Sequence, residues 1–250
     1  IKASHYTIFT PEKIIQNGAV LAFTKLKSGI GVEHGWKPLP NSGCEISEIN
    51  GCFIEQINKI PALDFYMDFI TKQDPAIASQ KEILLKNPTL FFEEVAIKYP
   101  LGIIREQGNQ QQIIDRTAVS VGADKSLQFS AEIPVGTKVC ILHLAGDSPE
   151  QQCSIMGDAA QAAYIESLEN FPGHIPDRRV IIMDCFGRKK MVDKLGQDFE
   201  AVEFKLIAAD QKENSHSPIG PLTFGEISSM KGGYVELHNK TAVVCTIEDK

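Results

Sequence analysis

The residues with the widest chemical scope lie in three short stretches of the C-terminal third. Cys185 closes the apolar run Ile182-Met183-Asp184-Cys185, and Arg188 follows three positions later. A strand end can present a thiol and a guanidinium to a pocket, where the guanidinium fork would clamp a carboxylate. The same two residues also read as a buried cysteine and an arginine held by a structural acid. Glu226 stands between Gly225 and Ile227, three residues after Thr223. Its carboxylate suits a ligand ammonium, or a structural ion pair with Arg188. Asn239 and Thr241 are short polar residues of the kind that hydrogen-bond to nearby backbone. That role would lock the last strand; ligand contact is the alternative. His238 faces the opposite side of a strand from Asn239, because side chains alternate. The candidate ligand-binding set is therefore Cys185, Arg188, Thr223, Gly225, Glu226, His238 and Asn239. Arg188 and Glu226 together would match the two ends of an amino acid.

Signatures of catalysis fail. There is no G-x-S-x-G elbow, no Walker A loop and no H-E-x-x-H. Gly29, Gly31 and Gly35 do not open a helix, so the dinucleotide fingerprint is not met. Cys185 as a nucleophile has no base that the sequence can assign to it. The six histidines, His5, His34, His143, His174, His216 and His238, are scattered, without the supporting context of a metal or haem ligand. We expect no enzyme, no metal centre and no haem carried by this chain alone. None of the six cysteines forms a C-x-x-C pair, and most sit in apolar segments such as Val139-Cys140-Ile141. Free, buried thiols point to a reducing, cytoplasmic setting.

The elements that must position these residues come next. With 250 residues the chain is long enough to bury a sizeable core. Its net charge of -7 and the shortness of its basic runs argue against nucleic acid; the longest, Arg188-Lys189-Lys190, reads as a solvated loop. No apolar run approaches the length of a membrane span, and no secretory leader is visible. The chain opens at Ile1 rather than Met, in a strand-like stretch, and reads as a piece whose upstream part lies outside it.

Strands are predicted over 19–26, 30–34, 44–49 and 52–57, with Ser28-Gly29 as a turn. The last two are joined by Asn50-Gly51, a strong hairpin signal because both positions tolerate positive φ. A helix follows Pro61, with Leu63, Tyr66, Met67 and Ile70 on one face, and a second covers 88–98. Short strands recur over 102–105, 112–119, 127–133 and 138–144. Asp147-Ser148-Pro149-Glu150 begins a long helix to about Asn170, whose small face, Ala159, Ala160, Ala162 and Ala163, would allow close packing on a sheet. A strand over 179–185, a helix over 197–209 carrying Phe199, Val202 and Leu206, a loop over 211–218 and two strands over 222–227 and 234–247 complete the chain. This order predicts an α+β fold, mostly antiparallel sheet layered with helices.

The C-terminal third also carries a resemblance. Ile182-Met183-Asp184-Cys185-Phe186-Gly187-Arg188, then Gly220-Pro221-Leu222-Thr223-Phe224-Gly225-Glu226-Ile227, then Leu237-His238-Asn239-Lys240-Thr241 resemble the FIST C-terminal domain. That family has an apolar strand ending in Cys-x-x-Arg, a Gly-x-x-Thr-x-Gly-Glu-Ile segment and a closing strand with an Asn-x-Thr core. Ile114-Asp115-Arg116, Ser126-Leu127 and Ile133-Pro134-Val135-Gly136-Thr137 fall in the family's order. Upstream, Gly35-Trp36-Lys37-Pro38-Leu39 and 51–63 look like the junction after a FIST N-terminal domain. The resemblance implies residues 1–60 as the end of that region and 61–250 as the C-terminal domain. It also implies a cytoplasmic sensory module that binds a small ligand, amino acids among the family's proposed ligands. Such a module would signal to a partner, such as a histidine kinase or another output protein. The family's other readings are a haem-binding nitric-oxide sensor and a protein-recognition scaffold, as in F-box proteins.

Overall fold

The computed structural model describes residues 7–9, 12–16, 19, 21, 23–107, 110–173, 178–204, 207, 218–230 and 233–249. The elements run in the following order. A hairpin, β1 Thr7–Phe9 and β2 Ile14–Gln16, precedes β3 Ser28–Glu33, β4 Lys37–Pro38, β5 Cys44–Asn50, β6 Phe53–Ile57 and β7 Ile60–Pro61. Then come α1 Ala62–Gln73, α2 Pro75–Lys86 and α3 Pro88–Phe91, the last continued by a π-helical turn, Phe92–Ala96. Next are β8 Leu101–Gln107, β9 Gln110–Arg116, β10 Ala118–Val121, β11 Leu127–Phe129, β12 Lys138–His143 and α4 Pro149–Glu169. The chain ends with β13 Arg178–Cys185, α5 Phe186–Lys194, α6 Phe199–Glu203, β14 Leu222–Thr223, β15 Glu226–Ser229, β16 Val235–His238 and β17 Ala242–Glu248.

Two main sheets result. The larger has nine strands in the order β10-β11-β6-β5-β12-β8-β9, with β4 on β12 and β7 on β6, and its pairs are antiparallel. The smaller has the order β14-β13-β17-β3, antiparallel except for the parallel pair β13–β14. β15 and β16 form a separate hairpin. The fold is α+β and mostly antiparallel, as expected. Strands from the first sixty residues take part in both sheets, β3 beside β17 and β5 beside β12.

Helix α1 buries Leu63, Tyr66, Met67 and Ile70 against Ile46, Ile54 and Ile57 of the larger sheet. Burying such side chains contributes roughly 1.5–3 kcal/mol each. Helix α2 was absent from the sequence expectation. Asp74 caps it, accepting from the backbone N–H groups of Ala76 and Ile77, with Pro75 in the first turn. Ser148 caps α4 by accepting from Gln151 N.

The contact of α4 with β3 explains an error in the sequence reading. Ser28-Gly29 is not a turn; both residues lie in β3. A Cβ at Gly29 would lie 2.0 Å from Ser167 O, and one at Gly31 would lie 1.9 Å from Ala163 O. The glycines are there because the helix rests on the strand's backbone. Ala159, Ala160 and Ala163 of the small face are buried, while Ala162 is exposed. Glu166 and Asn170 then cap the outer edge of β3, on Val32 N and Ile30 O respectively.

Further expectations need correction. The described residues of 19–26 form no strand. The helix over 88–98 changes to π geometry after Phe91. Of the helix over 197–209, Phe199–Glu203 is helical and so is Ile207, with a break at Phe204, and Leu206 lies outside the described residues. The final two strands are four, because the chain turns at Gly225 and again at Asn239-Lys240. Arg188-Lys189-Lys190 is helix α5 rather than a loop. Among the described residues no helix is long and apolar enough to cross a membrane.

Candidate functional site

The C-terminal ends of β9 and β13, the start of α5, the β15–β16 hairpin and the turn before β17 converge on one buried seam between the sheets. It is rich in charge. Asp115, Arg116, Asp184, Arg188, Glu203, Glu226 and Lys240 are all buried. Ionised groups so placed are costly unless paired, so each needs an account.

Arg188 is fully buried, and the four N–H donors of its two Nη atoms are all engaged. Nη1 donates to His34 O at 2.7 Å and to Lys240 O at 3.2 Å. Nη2 donates to Met156 O at 2.8 Å and to Glu203 Oε2 at 2.6 Å. Nε faces Asp184 Oδ1 at 3.2 Å, a charge contact rather than an aligned hydrogen bond. Arg188 therefore ties β3, α4, α5, α6 and the last turn together. A ligand carboxylate would have to displace one of these partners; of the two readings of Arg188, the geometry favours the arginine held by structural acids. Its acidic partners are Asp184 and Glu203, not Glu226.

Glu226 accepts instead from Thr223 Oγ1 in a short hydrogen bond and from the Cys185 thiol. Burial pushes its carboxyl up to about 7, against the pull of Thr223. Thr223 Oγ1 also reaches Asp184 O at 3.2 Å. Cys185 is buried, with its thiol pushed up to about 12, and its N–H donates to Thr241 O at 3.3 Å. Gly225 packs beneath β16, where a Cβ would lie 3.0 Å from Leu237 Cδ1. Asn239 joins the sheets rather than locking the last strand. Its Oδ1 accepts from Thr117 N at 3.2 Å and Ser130 Oγ at 2.9 Å, and its N–H donates to Asp115 O at 3.2 Å. Thr241 Oγ1 makes the local bond expected, to Asn239 O. The three stretches singled out in the sequence thus meet, with Asn239 and His238 serving different surfaces.

Four further residues belong to the seam. Lys240 is fully buried at φ 50, its Nζ 4.9 Å from the Trp36 ring centroid. Burial lowers it to about 8, opposed by Asp115. Asp115 is raised to about 7 by burial, opposed by Lys240 and Arg116. His34 donates from Nε2 to Ile113 O and accepts at Nδ1 from Trp36 N, and burial lowers its ring to about 4. No periodicity announces these residues. Asp115 and Arg116 continue β9 past Ile114 with no break in burial, and Lys240 sits in a turn, where lysine normally marks solvent.

Beside the seam lies a small cleft of about 50 Å³, lined by Arg105, Gln112, Ile114, Met230, Tyr234, Glu236 and His238 among others. Arg105 closes its rim on Glu236, with Nε to Oε1 at 2.9 Å, and Arg116 Nη2 stands 3.9 Å behind. The hairpin turns Glu226, Ser228 and His238 inward and leaves Ile227 and Val235 exposed.

Comparison with curated proteins and with solved structures yields no match. The family model of the FIST C domain matches residues 62–229, which takes in α1 to β15 and most of the seam. The chain belongs to the FIST C domain family.

Proposed function

We propose that this protein is a cytoplasmic sensory module of signal transduction. It binds a small polar ligand at the junction of the two sheets and passes its state to an output partner such as a histidine kinase. The observation that carries this reading is the seam itself. Asp115 Oδ2, Glu226 Oε2 and Lys240 Nζ are buried without a hydrogen-bond partner among the described residues. A core that served packing alone would replace such groups with apolar ones at little cost or a gain, and perturbed, convergent ionisable groups mark functional sites. Family membership supports the same reading, since FIST domains occur in sensory contexts.

A binding role rather than a catalytic one is supported by Cys185, whose buried thiol is held protonated. Transmission to a partner is supported by the hairpin. Its inner face holds Glu226 and His238, and its outer face leaves Ile227 and Val235 open to a second protein. The haem reading finds less support, because His34 commits both ring nitrogens to backbone partners and the cleft beside His238, at about 50 Å³, is far too small for a porphyrin.

The test is a thermal-shift screen of amino acids and related metabolites on the intact chain, with the mass and absorption spectrum of any co-purifying compound. A stabilising metabolite whose effect is lost in Asp115→Asn or Glu226→Gln is the expected result. A ligand that binds these variants and wild type alike would remove the seam from the binding site.

A further inference from the structure

His238 and His34 make an informative pair. Each ring places Nε2 3.1 Å from a backbone carbonyl, Ser228 O and Ile113 O respectively. A carbonyl only accepts, so Nε2 carries the hydrogen in both rings and Nδ1 holds a lone pair. In His34 that lone pair takes the Trp36 N–H at 3.0 Å. In His238, which is 1% exposed, Nδ1 finds no partner among the described residues. His238 is also the innermost polar residue lining the cleft between β8–β9 and the hairpin.

The remaining lining narrows what would fit. Gln112 uses Nε2 as a donor to Met230 O, so the oxygen of its side chain is an acceptor. Two of the Arg105 N–H donors bind Glu236 at the rim. The polar atoms left open on the inner residues, His238 Nδ1 and the Gln112 side-chain oxygen, are acceptors. Burial keeps His238 below its ordinary value, with Arg116 also opposing its protonation, so the ring stays neutral and its lone pair free. A volume of about 50 Å³ holds roughly three or four water-sized groups, enough for the head of a ligand but not its whole body.

We propose that this cleft binds the hydrogen-bond-donating head, an amino or hydroxyl group, of a small polar molecule on His238 Nδ1, under the Arg105–Glu236 ion pair. This rests on the sensory reading and gives that ligand a chemistry and an atom to bind. Because His238 and Glu236 both lie on β16, occupancy acts directly on the hairpin that carries the exposed apolar face.

The experiment uses intact chain labelled with ¹⁵N-histidine. The His238 Nδ1 resonance is followed during titration with ethanolamine and, separately, ethylene glycol, with tetramethylammonium as the control lacking an N–H. A saturable shift with ethanolamine alone assigns the amino class, and one with ethylene glycol assigns the hydroxyl class. His238→Gln keeps a donor toward Ser228 O but lacks the Nδ1 acceptor, and it should weaken the response by about tenfold. An equal shift with tetramethylammonium overturns the proposal, as does a resonance showing the proton on Nδ1. If neither probe shifts Nδ1 while a metabolite from the thermal screen binds wild type and His238→Gln equally, this site falls and the sensory reading stands. If no metabolite binds at all, both fall.

Discussion

Arg188 Nη2 lies 2.6 Å from Glu203 Oε2, and neither side chain reaches solvent. Asp184, the second acid on this guanidinium, is also almost fully buried. Removing the guanidinium strands two carboxylates where water cannot reach them. Arg188→Ala should therefore destabilise the fold by about 3–5 kcal/mol, and Arg188→Lys should recover only part of this, since an ammonium cannot span five partners. Urea unfolding at neutral pH measures both. A loss below about 1 kcal/mol for the alanine variant would mean that the network is open to solvent.

Glu226 titrates in the opposite sense from a surface carboxylate. Its folded value is about 7, against an ordinary 4.5. Below the lower value both states hold the proton and the residue costs nothing. Between the two values the unfolded chain releases its proton while the folded chain keeps it, so stability falls as pH rises. Glu226→Gln should be more stable than wild type above pH 7, by on the order of 3 kcal/mol, and no more stable near pH 4. Parallel stability curves for the two proteins from about pH 4 to 8 would take Glu226 out of the titrating set.

Asp115 and Lys240 each moderate the other's displacement, the acid at about 7 and the base at about 8. Lys240→Met keeps apolar contact with Trp36 but removes the charge that holds the Asp115 carboxyl down. The Asp115 value should then rise further, as read by carboxyl ¹³C titration. Combining Lys240→Met with Asp115→Asn should restore part of the lost stability, with a coupling of about 1–3 kcal/mol. Additive effects would show that the two charges do not interact.

Gly31 meets Ala163 O at a distance that no Cβ tolerates. Gly31→Ala should push α4 off β3 and cost about 3 kcal/mol or more. Gly43→Ala is the control, because nothing lies within 4 Å of a Cβ there, and it should be close to neutral. A neutral Gly31→Ala would mean that the helix can shift freely over the strand.

All six cysteines are free, with four of them buried. Denatured, non-reduced protein should titrate six thiols. In the native protein Cys52 should react well before Cys44 and Cys185, whose thiols burial pushes up to about 12. Rapid native labelling of Cys185 would show that the seam opens on the timescale of the reagent.

Much of the secondary structure was legible in the residues because local rules fix it. Asn50-Gly51 imposes a hairpin, Ser148-Pro149 starts α4, and Leu63, Tyr66, Met67 and Ile70 mark one helix face. The order of motifs in the C-terminal third pointed to the family. It also pointed to Cys185, Thr223, Glu226 and Asn239 as residues that meet. What remained hidden was set by contacts between segments far apart in the chain. Ser28-Gly29 reads as a turn until a helix more than a hundred residues later lies on it. Arg188 reads as part of a solvated basic run until Glu203, Asp184 and three carbonyls close around it. Lys240 and Asp115 carry charges that local pattern sends to the surface, and only the meeting of two sheets places them inside. Periodicity reports which face of an element is apolar. The partner of a buried charge is chosen by the tertiary structure, because pairing energy depends on distance and dielectric, and neither is a property of the local sequence.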